Sequence, residues 1–285
     1  MSLLQIAVNE RTPRLFPENG PPDAAVASAL EATDGPVTFM VHGYKYAPGH
    51  SDACPFHGLF GAQDPAKKKR IRPWPNHLGS DGLLIGLGWQ ARGTPQTAYR
   101  RAAEAAIALA ALIKLIHRHA PKRDQHVLAH SLGARVALQA FHYVPKKALS
   151  SMILLAAAEY RGSAEAALGS KGAQDVDVLH VTSGENGFFD FLFERVIPSP
   201  QRGDRAIGAR DVGHAQTLLL DSPDALQALA DLGYPIAPPS RRVCHWSVYL
   251  RPGVFKLYRA LIRGELSHRT LVRALKSTVR ALPSH

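Results

Sequence analysis

The chain has 285 residues, 46% of them hydrophobic, and its 34 lysines and arginines against 23 aspartates and glutamates give a net charge of +11. This length suffices for one large α/β domain with a real core. The sequence lacks the interleaved aromatic and basic residues of an RNA-binding sheet, and it lacks zinc-finger spacing. We therefore interpret the positive charge as a solvated basic surface and expect no nucleic-acid partner.

The cysteine content and the N-terminal segment bear on the cellular location. Cys54 and Cys244 are too few for a disulfide framework, although they suffice for a single bond. We expect unpaired thiols in a reducing compartment. Residues 1–10 lack the basic and apolar parts of a secretion signal, and no apolar run is long enough to span a bilayer. These features predict a cytoplasmic protein.

Hydrophobic patterns in the first third of the chain predict strands that alternate with helices. The predicted elements are a strand at 3–8, a helix at 23–32, a buried strand at 37–41, a long loop at 45–81 and a buried strand at 82–89. Loops as long as residues 45–81 are usually functional or mobile, so we expect this segment to shape a ligand pocket.

The alternation continues to the end of the chain. The later elements are a helix from Thr94-Pro95 to about His119, a strand and helix on either side of Ser131, strands at 151–157, 176–182 and 216–220, a helix at 223–233, a helical stretch from Val254 and a basic helix at 270–282. This order predicts an α/β fold, in which a mostly parallel central sheet is flanked by helices on both faces, and a single domain over residues 1–285. Ligands bind at the carboxyl ends of the strands in such sheets.

A sharp turn at Ser131 is the strongest functional signal. A β-prone run enters it and a helix-prone run leaves it, with Ala129 two places before the serine and Gly133 two places after. Small flanking residues allow a nucleophile elbow, which lifts the serine hydroxyl clear of the sheet. The turn also directs the backbone N–H of Leu132 towards a developing oxyanion. Ser131 is therefore the predicted nucleophile.

Two stretches of this sequence resemble the α/β-hydrolase superfamily. They are His42-Gly43-Tyr44 after a buried strand and Ala-His-Ser-Leu-Gly at 129–133, followed by an acid and then a histidine. Alanine replaces the first glycine of the usual Gly-x-Ser-x-Gly elbow. The resemblance extends from about Val37 to the helix after His245, and it implies a serine hydrolase of the esterase or lipase-like type. It also implies that the N–H of Tyr44 is the second oxyanion donor, beside that of Leu132.

The acid and the base of the catalytic triad each have two candidates. Glu185 is the first carboxylate after the strand at 176–182, and Asp190 follows it, so we favour Glu185. The family order places the histidine after the last strand, which favours His245 as the base over His214. We expect His130, beside the nucleophile, to point into the sheet as a structural residue.

The predicted activity is hydrolysis of a small carboxylic ester through an acyl-enzyme intermediate, without a metal or an organic cofactor. Thioesterase, amidase or acyltransferase activity with the same triad, or a non-catalytic binding protein with this fold, stay open as alternatives. Membrane-surface contact through the basic run at 67–70 or the helix at 270–282 is the less favoured interpretation of those charges. The sequence does not specify an oligomeric state.

Overall fold

A computed structural model describes residues 2–61, 72–79 and 81–280. The basic run at 67–70 and the residues after 280 lie outside these ranges. Among the described residues, no helix combines the length and the hydropathy that are needed to cross a membrane.

An eight-stranded sheet forms the centre of the structure. Its strands are β1 (Ser2–Asn9), β2 (Thr12–Leu15), β3 (Val37–Val41), β4 (Leu83–Gly88), β5 (Gln125–His130), β6 (Ser151–Leu155), β7 (Asp177–Thr182) and β8 (Gln216–Leu219). Their spatial order is β2-β1-β4-β3-β5-β6-β7-β8, and every pairing is parallel except that of β1 with β2. The predicted fold class, a mostly parallel sheet flanked by helices, is confirmed.

Helices cover both faces of this sheet. They are α1 (Asp23–Glu31), α2 (Pro75–Leu78), α3 (Pro95–His119), α4 (Leu132–Ala140), α5 (Arg161–Leu168), α6 (Gly187–Val196), α7 (Pro223–Asp231), α8 (Ser247–Leu250), α9 (Val254–Ile262) and α10 (His268–Arg280). Most buried apolar residues of α1, α3, α4 and α5 belong to one hydrophobic cluster, and most of those of α2, α7, α8 and α9 belong to the other. Strand β3 shows how the sheet separates them, because Phe39 faces the first cluster and Met40 the second.

The long α3 illustrates why these segments are helical. Thr94 caps its first turn by accepting a hydrogen bond from the N–H of Thr97, and Pro95 occupies the first helical position. One face carries the buried side chains Ala105, Leu109 and Leu112, as the sequence pattern predicts. These side chains belong to the same buried cluster as those of α4, the helix that follows Ser131, and α3 packs against α4.

Several segments differ from the sequence predictions. The edge strand β2 and the helices α5, α6 and α8 were not predicted, and residues 45–81 contain two short helical turns, Pro55–His57 and α2. The basic C-terminal helix begins at His268, two residues earlier than expected. It packs against the chain through Leu271, which is fully buried. Cys54 and Cys244 are both buried and unpaired.

Candidate active site

Ser131 occupies a strained turn between β5 and α4. Its backbone angles are φ 55° and ψ −124°, a left-handed conformation that costs a non-glycine residue about 1–3 kcal/mol. Backbone hydrogen bonds hold it there: its N–H donates to the Leu155 carbonyl at 2.9 Å, and its carbonyl accepts from Ala134 and Ala158 at 2.9 and 3.1 Å. The chain therefore turns sharply from strand to helix at Ser131, as the sequence predicts, while the role of Ser131 as a nucleophile stays a prediction.

Two glycines allow the loop after β3 to lie against this turn. A Cβ on Gly133 would lie 2.6 Å from the carbonyl oxygens of Val41 and His42. A Cβ on Gly43 would lie 2.7 Å from the Cβ of Ser131. Because real Cβ atoms do not come so close to these groups, both positions require glycine.

His42 fixes the orientation of the Gly43–Tyr44 peptide. Its Nε2 accepts the Trp89 N–H at 3.0 Å, so its Nδ1 carries the proton and donates to the Gly43 carbonyl at 2.8 Å. The C=O and N–H of one trans peptide unit point in opposite directions, so this bond directs the Tyr44 N–H away from His42. Burial lowers the pKa of His42 to about 3, which keeps the ring neutral.

Two backbone donors at this turn remain available. The N–H of Leu132 lies in the first turn of α4, where no helical acceptor exists. Over the described ranges, neither this N–H nor that of Tyr44 makes a hydrogen bond within the protein. Both predicted oxyanion donors are therefore free to bind a ligand atom.

His245 lies just before α8 and is tightly held. Its Nδ1 lies 2.6 Å from Oδ1 of Asn186, and its ring stacks on Phe189 with centroids 4.7 Å apart. An amide oxygen can only accept a hydrogen bond, so Nδ1 carries the proton and Nε2 keeps its lone pair. Burial, together with the neighbouring His130, lowers the pKa of His245 well below its ordinary value. The imidazole ring of His245 is therefore neutral.

Ser131 and His245 border the same cavity, which has a volume of about 400 Å³. Most of its wall is apolar and includes Leu132, Ala156, Phe189, Phe193, Ile197 and Trp246. Ser131 is only 6% exposed, and none of the side-chain hydrogen bonds among the described residues involves its hydroxyl. The hydroxyl therefore has no competing partner, and hydrogen bonds of this kind often form only when substrate is bound.

The structure places Glu185 differently from the sequence prediction. Its buried carboxylate pairs with the Arg251 guanidinium and accepts a hydrogen bond from Ser183 Oγ at 3.3 Å. The hydrogen bond at Nδ1 of His245 belongs instead to the next residue, Asn186. Residues 184–186 form one 3₁₀ turn with three residues per turn, so adjacent side chains point about 120° apart. The turn therefore directs the Glu185 side chain towards Arg251 and the Asn186 side chain towards His245.

Asp190, the alternative acid, reaches His245 only through Asn186. Its Oδ1 accepts a hydrogen bond from Asn186 Nδ2 at 2.9 Å. Burial, together with the nearby Glu194, raises the pKa of Asp190 to about 7.

His214, the alternative base, is exposed and lies just before β8, at the amino end of a strand. Ser131 follows the carboxyl end of β5, at the opposite edge of this parallel sheet.

Sequence reasoning did not identify Asn186, and it assigned His130 a different position. The third member of a catalytic triad is usually a carboxylate, and no local pattern distinguishes an amide that orients a histidine. The only available signal for Asn186 was its place just after β7.

His130 was expected to point into the sheet, but its Nε2 lies 3.1 Å from the His245 carbonyl and its ring is 4.6 Å from that of His245. Burial lowers the pKa of His130 to about 4.

A metal centre has no support in the described ranges, because no three His, Cys, Asp or Glu side chains are grouped to hold an ion.

Residues 36–160 match the family model of an α/β hydrolase of unknown function (DUF900). This segment includes the His42 loop and the elbow, while Asn186 and His245 lie beyond it. No curated protein matches the sequence.

Proposed function

Because this chain belongs to the α/β-hydrolase superfamily, we propose that it hydrolyses carboxylic esters, with Ser131 as nucleophile and His245 as general base. The observation that carries the proposal is that Ser131 and a neutral, oriented His245 border one apolar cavity. A serine hydroxyl is a weak nucleophile unless a base of this kind accepts its proton.

The reaction follows from these positions. Ser131 Oγ attacks the ester carbonyl while His245 Nε2 accepts the hydroxyl proton. The N–H groups of Leu132 and Tyr44 stabilise the negative charge on the carbonyl oxygen. The imidazolium returns the proton to the leaving alcohol, which leaves an acyl group on Ser131. Water then loses a proton to His245 and attacks this acyl group, which releases the acid and restores the hydroxyl.

The wall of the cavity favours substrates with an apolar group. Helix α6 supplies several apolar wall residues, and beside the cavity it exposes Phe188 and Phe191, which are 51% and 52% exposed. Burial of such apolar surface against a bound ligand stabilises the complex by about 25 cal/mol per Å². We therefore propose an ester whose acyl or alcohol part is a hydrocarbon chain.

Turnover of p-nitrophenyl esters with short and long acyl chains tests the proposal. We expect Ser131→Ala and His245→Ala to lose about 10³-fold or more of the wild-type kcat. His214→Ala is the matched control and should keep wild-type turnover, because this histidine lies at the opposite edge of the sheet.

A fluorophosphonate probe read by mass spectrometry gives the second measurement, and we expect it to label Ser131. A wild-type protein that neither turns over esters nor takes the label would be a non-catalytic binding protein. Faster turnover of matched thioesters or amides would assign one of the alternative acyl substrates. The cytoplasmic location is part of the same proposal, and the two buried, unpaired thiols, Cys54 and Cys244, support it.

A further inference from the structure

Asn186 connects the proposed base to a buried carboxylate. Its Oδ1 accepts from His245 Nδ1 at 2.6 Å, and its Nδ2 donates to Asp190 at 2.9 Å. Building on the proposed function, we propose that Asn186, held by Asp190, is the residue that positions His245. Glu185, in the place expected for the acid, is instead part of the scaffold that holds the turn.

The direction of the Asn186 amide follows from the chemistry of its neighbours. The NH₂ group of Asn186 can only donate hydrogen bonds, and Asp190 Oδ1 accepts one whether or not the carboxyl group is ionised. The carbonyl end then faces His245 and requires a proton on Nδ1. This chain of two hydrogen bonds selects the tautomer in which Nε2 is the base.

The scaffold around Asn186 is rigid. The side chain is only 2% exposed. The Cys244 N–H donates to the Glu185 carbonyl at 3.0 Å, which ties the residue before His245 to the turn that carries Asn186. Arg251 binds both the Glu185 carboxylate and the Leu220 carbonyl, which ties the same turn to the end of β8. Glu185 thus holds the turn while Asn186 contacts the base.

An amide orients the imidazole without placing a full negative charge beside it. Among the described residues, His130 at the end of β5 and the adjacent Cys244 lie beside His245, and Tyr249 packs against His130. The titratable side chains of Asp190, Lys45 and Tyr46 line the same cavity as His245. Burial and His130 lower the pKa of His245, and the amide supplies no opposing charge. The ring should therefore stay neutral, and the enzyme active, well below pH 6.5.

Substitution of Asn186 tests the role through kinetics. Asn186→Ala should lower kcat by about 10²-fold with KM nearly unchanged, because it misorients the base without removing a substrate contact. Asn186→Asp should restore most of the lost kcat. It should also move the acidic limb of the kcat/KM profile to higher pH, because an added carboxylate favours the imidazolium. Exposed Asn76 gives the matched control, and Asn76→Ala should leave both kcat and the profile unchanged.

Histidine ring ¹⁵N spectra of the resting protein test the contact without substrate. We expect the Nδ1–H tautomer of His245 in the wild type and a mixture of tautomers in Asn186→Ala. Wild-type kcat and an unchanged tautomer in folded Asn186→Ala would overturn the inference, as would loss of the Nδ1–H tautomer in folded Glu185→Gln. The proposed function fails by a different result, which is a wild-type protein that is inert towards both esters and the fluorophosphonate.

Discussion

Glu185 and Arg251 form an ion pair that is almost sealed from water, with side chains 5% and 4% exposed. Arg251 begins the turn that separates α8 from α9, and Glu185 belongs to the turn after β7. The pair therefore joins the two segments that carry His245 and Asn186. Removal of this ion pair should therefore act mainly on the stability of the fold, and on ester hydrolysis only through it.

Breaking this pair should be costly. Glu185→Gln leaves a buried guanidinium without its counter-charge, and we expect the free energy of unfolding to fall by about 3 kcal/mol in urea titrations. The control is Arg263→Gln, which breaks the solvent-exposed pairs with Asp81 and Glu265 and should change the free energy of unfolding by less than about 1 kcal/mol. Equal losses in the two variants would contradict the structural role of the buried pair.

His42 should fix the direction of the Tyr44 N–H, one of the two proposed oxyanion donors, without contacting the substrate. His42→Ala frees the Gly43 carbonyl and leaves the Trp89 N–H unpaired, so the Tyr44 N–H loses its fixed direction. Since one oxyanion donor is worth about 10²–10³-fold in kcat, we expect a loss of about 10²-fold at nearly constant KM. Steady-state ester kinetics provide the measurement.

His126→Ala is the matched control for this variant. His126 is also buried, but it lies near the amino end of β5, where its Nδ1 lies 2.8 Å from Ser151 Oγ. We expect lower stability with wild-type kcat for the folded fraction. A comparable fall in kcat would show that loss of any buried histidine disturbs the site.

The elbow should not tolerate a methyl group at Gly133. Because a Cβ there would lie 2.6 Å from two backbone oxygens, Gly133→Ala should lower the thermal midpoint by several degrees and reduce fluorophosphonate labelling of Ser131. Gly187 has helical φ, −55°, and a methyl group added there would meet no atom of another segment within 4 Å. Gly187→Ala should therefore keep the activity and gain up to about 1 kcal/mol of stability. A tolerated Gly133→Ala would mean that β3 and α4 can separate.

Asp190 should make stability depend on pH. Its pKa is raised from 3.8 to about 7, first by burial and then by Glu194, so the folded protein holds this proton where the unfolded chain has lost it. The contribution of Asp190 to the free energy of unfolding therefore falls as pH rises from about 4 to 7, and it is constant above that interval. Asp190→Asn removes this pH-dependent contribution. The free energy of unfolding of the variant, relative to that of the wild type, should therefore increase as pH rises across the same interval. Urea titrations at pH 5 and pH 8 measure the difference, and a constant difference would contradict the raised pKa.

Much of the fold is readable in the sequence because its signals are local. The apolar run at 37–41 is β3, and the Thr94-Pro95 start and the periodic apolar face define α3. Strand β2 escaped detection because it has four residues, contains Pro13 and lies at the edge of the sheet. Helix α6 escaped because it begins at Gly187, directly after a turn rich in small residues, and lacks a side-chain cap.

The sequence by itself determined the elbow, since a turn between strand and helix needs small residues at fixed spacing around Ser131. Only the tertiary structure decided which side chain meets His245. Glu185 and Asn186 are neighbours with similar local surroundings, and their directions depend on a 3₁₀ turn whose position is set by Arg251 and by the backbone of Cys244. Those contacts join residues that lie about 60 positions apart, so no local pattern encodes them.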